Sequence, residues 1–238
     1  MGQGPCRPPR ERTRGRARPR GHGALQTESR QMTALALLDY GSVAIFALTG
    51  ALVASRAQLD IVGFAFLAAL TGVGGGTLRD LLLDRNPIFW IANPTYILIA
   101  CAAAVLIFFT AHLVESRYRW LLWLDAFALA VAVPAGAGLA LELGQSTVVV
   151  VLMGMATGCL GGLMRDVVVG EVPLVLKQGE LYVTAAFAGA LVAALMTEHM
   201  ADGLLALGAA ALTTLALRAG SMVFGWRIPV YRSRPPRA

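Results

Sequence analysis

The sequence predicts an all-α integral membrane protein: seven transmembrane helices, arranged as two inverted three-helix repeats plus a seventh helix. Three observations predict it. Of the 238 residues 57% are hydrophobic and only 14% charged, against about a quarter charged in soluble domains. Between Met32 and Val223 the charges lie mostly between long apolar runs. The first half of that region also recurs, without a gap, in the second.

Taken in order, residues 1–31 are rich in Arg, Pro and Gly and poor in large apolar groups. They read as a disordered basic extension, because such a stretch buries too little surface to offset its ordering entropy. A targeting segment is an alternative. So is a natural start at Met32, which topology favours. The first repeat is expected at 32–118, with spans at 35–54, 60–83 and 94–113. The second is expected at 119–200, with spans at 121–141, 147–169 and 180–197. A seventh helix follows at 201–224, its span at 203–223, and a basic cytoplasmic tail at 225–238. Each apolar run is close to the roughly 20 residues that cross a bilayer core. Only helices and closed barrels satisfy the backbone in lipid, and the alternation of a barrel strand is missing.

The repeat rests on polar positions. At one offset Asp39 falls on Asp125, Gly50 on Gly136, Thr71 on Thr157 and Gly72 on Gly158. At the same offset Gly75 and Gly76 fall on Gly161 and Gly162, Arg79-Asp80 on Arg165-Asp166, Pro87 on Pro173 and Tyr96 on Tyr182. Biased composition aligns Ala and Leu by chance, but not this set. Three spans per copy make the second copy enter the membrane from the opposite side, and sites in such architectures sit at the repeat interface. With the C-terminus inside, the inner segments carry Arg56, Arg117, Arg119 and Lys177, and the outer loops carry Arg85 with Asp84, then Glu142, Glu198 and Asp202. This obeys the positive-inside rule. It puts the N-terminus outside and the C-terminus on the cytoplasmic side of the membrane. Residues 1–31, with eight arginines, then lie outside against the rule, and a start at Met32 removes the conflict.

Two segments carry the chemistry: Thr71 to Asp80, with Gly74, Gly75 and Gly76, and Thr157 to Asp166, with Gly158, Gly161 and Gly162. Neither is a phosphate loop, since Gly-Lys-Ser/Thr is missing. Glycines inside a span permit a kink and expose carbonyls suited to a dehydrating cation. The other reading is close packing of small residues four apart. Arg79, Asp80, Arg165 and Asp166 are costly at membrane depth. They either flank a shared pathway, one pair toward each face, or neutralise each other at helix ends and snorkel to the surface. Asp39 and Asp125 either line the same route or cap helices. Arg218 in the last span snorkels or acts as a gate. Tyr96 and Tyr182 suit interface anchoring.

The remaining composition narrows the function. The net charge of +6 comes from arginines at the two ends, which set topology or touch anionic lipid and do not mark a nucleic-acid binder. Cys6, Cys101 and Cys159 are scattered, as are His22, His112 and His199. No metal site, cofactor or enzyme chemistry is therefore expected.

The doubled Gly-Gly-Gly-x-x-Arg-Asp-like motif, each followed by a Pro seven residues past the Asp, resembles the prokaryotic trimeric intracellular cation (TRIC) channel family, also known as a bacterial glycine transporter domain. The resemblance covers residues 34 to about 223. It implies a homotrimer with a pore in each protomer, lined by glycine-kinked second and fifth helices and passing monovalent cations, chiefly potassium. The sequence departs from the motif at Gly158-Cys159-Leu160, where the second copy has only two adjacent glycines. A secondary transporter of glycine or a similar small zwitterion is the alternative, because inverted repeats with broken helices serve transporters as well.

Overall fold

The computed structural model describes residues 22–113, 117–177, 181–199 and 203–229. Eight α-helices lie among them: α1 (His22–Arg56), α2 (Ile61–Leu82), a short α3 (Phe89–Ala92), α4 (Thr95–Thr110), α5 (Arg117–Glu142), α6 (Thr147–Val168), α7 (Val183–His199) and α8 (Gly203–Phe224). Six are long and apolar enough to cross a membrane, and α7 is a shorter apolar helix of 17 residues. At 1.5 Å per residue that length is still about enough for a bilayer core. The protein is a multi-pass membrane protein with seven spans, α1, α2 and α4 in one repeat, α5, α6 and α7 in the other, and α8 added.

The exits of the helices obey the repeat, whereas the N-caps of α2 and α6 differ, since Ser146 makes no side-chain cap. Asp60 caps α2 by accepting a 2.7 Å bond from the Gly63 amide. The chain leaves α1 through Gln58 and α5 through Gly144, and leaves α2 through Asp84 and α6 through Gly170; all four have left-handed backbones. Each is the repeat equivalent of its partner. After α2 comes α3, and after α6 the 3₁₀ turn Leu174–Leu176. These two short elements were not anticipated, since four apolar residues carry no period.

Two expectations change. Helix α1 begins at His22, so residues 22–31, expected within a disordered extension, are helical; residues 1–21 lie outside the described part. No proline interrupts the chain between His22 and Arg56, so helix bonds run unbroken from the polar start into the apolar span. Similarly α5 starts at Arg117, ahead of its first fully apolar turn.

The core is a group of four helices, α1, α2, α5 and α6, with α4 packed on α1 and α2, α7 on α5 and α6, and α8 on α5 and α7. In lipid there is little hydrophobic force between helices, so close approach of small residues carries the packing. Gly50 of α1 faces Leu67 O and Thr71 Oγ1 of α2, where an added Cβ would sit 2.6 Å from each. Gly136 of α5 faces Met153 O and Thr157 Oγ1 of α6 in the same way. At the centre Gly75 meets the carbonyl oxygen of Thr157, and a Cβ on Gly161 would lie 2.6 Å from Thr71 O. The repeats thus cross backbone to backbone at their equivalent glycines.

Candidate functional site

Each repeat holds a buried Asp–Arg–Asp cluster. In the first, Arg79 donates through Nη1 to Asp39 Oδ1 at 2.8 Å and through Nε to Asp80 Oδ1 at 2.9 Å. In the second, Arg165 donates through Nη1 to Asp125 Oδ1 at 3.0 Å and through Nε to Asp166 Oδ1 at 2.8 Å. The outer oxygens of the paired aspartates hold the following loops. Asp80 Oδ2 accepts the Phe89 amide, and Asp166 Oδ2 accepts the Leu174 amide, both at 2.9 Å. One carboxylate therefore binds its own helix end to the returning chain, while the other comes from the neighbouring span. An arginine buried between two carboxylates satisfies the rule that buried charges are paired.

These contacts decide several open readings. Arg79 and Arg165 are both 0% exposed, so they do not snorkel to a surface. Asp39 and Asp125 sit well inside α1 and α5 and cap neither helix. Tyr96 and Tyr182 are buried and are not interface anchors. Tyr96 stacks on Tyr40 at 4.2 Å between centroids, and Tyr182 lies under the Arg218 guanidinium at 5.1 Å. Arg218 is 0% exposed as well, and so does not snorkel. The glycine segments are continuous helix through Gly74, Gly75 and Gly76 and through Gly158, Gly161 and Gly162. Among these, Gly76 faces the Phe89 ring, and Gly162 faces Tyr182 Oη at 3.3 Å and Asp125 Oδ1 at 3.4 Å from an added Cβ.

The two clusters differ in access. Asp39 keeps 17% side-chain exposure, while Asp125 has none. Asp39 opens onto a cavity of about 340 Å³ lined also by Tyr40, Arg85, Asn93, Tyr96 and Glu142. Beneath it a second void, of about 10 Å³, runs past Asp39, Ser42 and Phe46 to Gly72, Gly75, Gly76 and Thr157. That is the space of a single water. The cavity and the smaller void share Asp39 and Phe89 in their walls, and the void reaches the point where the repeats cross. Arg85 and Glu142 belong to it, although the sequence marked them only as loop charges. Their signal was available: at the repeat offset Arg85 falls on Glu171 and Glu142 on Arg56, charges of opposite sign at the exits of the equivalent helices.

A family model described as "Glycine transporter" matches residues 36–112 and again 122–198, one match on each repeat. A UPF0126 membrane protein of Vibrio cholerae is 34% identical over 218 residues, covering 88% of each chain. A UPF0126 inner membrane protein of Escherichia coli K12 is 37% identical over 156 residues, 65% of this chain and 75% of the relative. Among solved structures, the TRIC trimeric intracellular cation channel orthologue from Rhodobacter sphaeroides superposes with a TM-score of 0.79 at 47% identity, covering 81% of this chain and 99% of that one. With both repeats matched and the fold shared over nearly all of its described spans, the chain belongs to the TRIC/UPF0126 family.

Proposed function

We propose that the protein is a homotrimeric channel for monovalent cations, chiefly potassium, with one pathway in each protomer between α1, α2, α5 and α6. The observation that carries this reading is the vestibule itself, in which Asp39 and Glu142 line a cavity, and Asp39 is shared with a smaller void at the Gly75–Thr157 crossing. Carboxylates in a low-dielectric cleft concentrate cations there. The glycine segments leave helix carbonyls without side-chain cover, and their second lone pairs would face a passing cation. The similarity to solved TRIC cation channels supports the same conclusion. In this reading the Arg–Asp clusters are fixed charges beside the pathway, toward opposite faces, and Arg218 holds its charge against Tyr182 in the last span. The vestibule faces outward, from the positive-inside count, in a bacterial inner membrane with the C-terminus cytoplasmic.

One observation favours a second reading. Arg85 shares the cavity with Asp39 and Glu142, so both ends of a small zwitterion such as glycine meet an opposite charge there. Purified protein in a planar bilayer under a potassium gradient separates the two. Unitary currents are the expected result. Silence in the bilayer, with counterflow of labelled glycine in vesicles, replaces the channel with the transporter.

A further inference from the structure

At the end of the molecule away from the vestibule, Arg56 at the close of α1 pairs with Glu171 beyond α6, Nη2 to Oε1 at 3.1 Å. The ring of Tyr118 at the start of α5 lies between two cations, with Arg56 Cζ 5.1 Å and Lys177 Nζ 5.0 Å from its centroid. Lys177 also donates to Tyr118 Oη at 2.8 Å. Side-chain exposure of Arg56 and Glu171 is 29% and 39%, so the group sits at the surface and spans both repeats.

Carried across the repeat, three of the four members of this group fall on the wall of the vestibule, and Lys177 falls on Ile91 outside it. Arg56 corresponds to Glu142, Glu171 to Arg85, and Tyr118 to Met32, all three of which line the cavity. Leu121, 2% exposed, corresponds to Leu35 of the same wall, itself 7% exposed. The pseudo-two-fold axis relates an open mouth, where Asp39 keeps 17% side-chain exposure, to one closed over Asp125, which has none, and the Arg–Glu pair changes owner between them. At the closed mouth the arginine comes from the first copy's α1 and the glutamate from the second copy. At the open mouth the arginine follows the first copy's α2, and the glutamate ends the second copy's α5. There Arg85 turns to Asp80 Oδ2, 3.6 Å away.

We propose that Arg56 and Glu171, braced by Tyr118 and Lys177, form a latch that closes the far mouth of the pathway, and that Arg85 and Glu142 are its counterpart in the open position. The latch rests on the pathway reading above. Exposed ion pairs are weak, which suits a closure that must open often. Both mouths are then gated by one exchange of partners, and the asymmetry between a reachable Asp39 and a sealed Asp125 is a consequence of which latch is made.

Two experiments on the full-length chain lacking Cys6, Cys101 and Cys159 test it. In the first, Arg56→Cys and Glu171→Cys are joined by a reducible bis-thiosulfonate reagent in vesicles. Flux of potassium, or of glycine, is expected to stop and to return on reduction; unchanged flux with complete cross-linking overturns the latch while leaving the pathway standing. The second does not need transport. The rate at which a membrane-impermeant thiosulfonate modifies Leu121→Cys is measured from the latch side. Adding Glu171→Gln is expected to raise that rate about two- to five-fold, and the exchanged pair Arg56→Glu with Glu171→Arg to return it toward the parental value. Equal rates in all three overturn the latch even if the parent proves to transport neither solute.

Discussion

Arg79 and Arg165 are the largest fully buried side chains together with Arg218, and their partners decide what each can tolerate. Arg165 is sealed between Asp125 and Asp166, with side-chain exposure of 0%, 0% and 4% for the three. Replacing it with glutamine leaves two carboxylates buried without compensation. Breaking a buried pair from one side costs about 3–5 kcal/mol, so Arg165→Gln should show a large loss of thermal stability in detergent or no folded protein at all. Asp39 is different because it reaches the vestibule. Asp39→Asn should give folded protein, since Asp80 still holds Arg79 at 2.9 Å, yet reduce cation conductance by making the local potential less negative. Single-channel recording checks the second effect, and melting curves check the first. A mutant with unchanged conductance would remove Asp39 from the pathway.

Among the helices, the crossing of α2 and α6 is the least forgiving contact. A Cβ at Gly75 would run into the backbone carbonyl of Thr157, which has no side-chain freedom to yield. Overpacking of this kind costs about 1–3 kcal/mol, so Gly75→Ala and Gly161→Ala should each lower the melting temperature and also change flux. The small-residue packing reading therefore has direct geometric support, and any role of the same glycines in conduction is added to it. The helix exits give a separate test. Gly170 has φ near +71° with open space around it, while its equivalent Asp84 has φ near +52°. A side chain in the left-handed region costs about 1–2 kcal/mol. Gly170→Val should destabilise by that amount, whereas Asp84→Gly should be neutral or stabilising, both read by thermal unfolding.

Across the whole molecule the inverted repeat predicts which surfaces share a side. Asn93 lies on the vestibule and Lys177 beside the closed mouth. In the cysteine-free background, Asn93→Cys should react with an impermeant thiol reagent from one face of oriented vesicles and Lys177→Cys from the other. The positive-inside count assigns Asn93 to the outside. Reaction of both from one face would mean that the two copies are not inverted with respect to the membrane.

Much of the site was legible from the chain alone. Lipid leaves a span little choice but an apolar helix, so the spans could be located from composition, α2 and α6 to within a residue or two. Charges at membrane depth are expensive, so Asp39, Arg79 and Asp80 and their equivalents stood out, and the repeat paired them. The sequence did not reveal that each arginine takes one aspartate from its own helix and one from the neighbouring span, because that depends on where two separate helices lie side by side. It also placed the helix starts too late, at 35 and 121, because polar first turns carry no apolar signal although the backbone bonds continue through them. Above all, sequence symmetry treats the two copies as equal. Only the tertiary structure breaks that equality, opening a cavity at Asp39 and burying Asp125. The reason is physical: near-equal segments can pack in two arrangements, and the contact of Arg56 with Glu171 at one mouth, while Arg85 turns to Asp80 at the other, belongs to the packed state and not to any local stretch of chain.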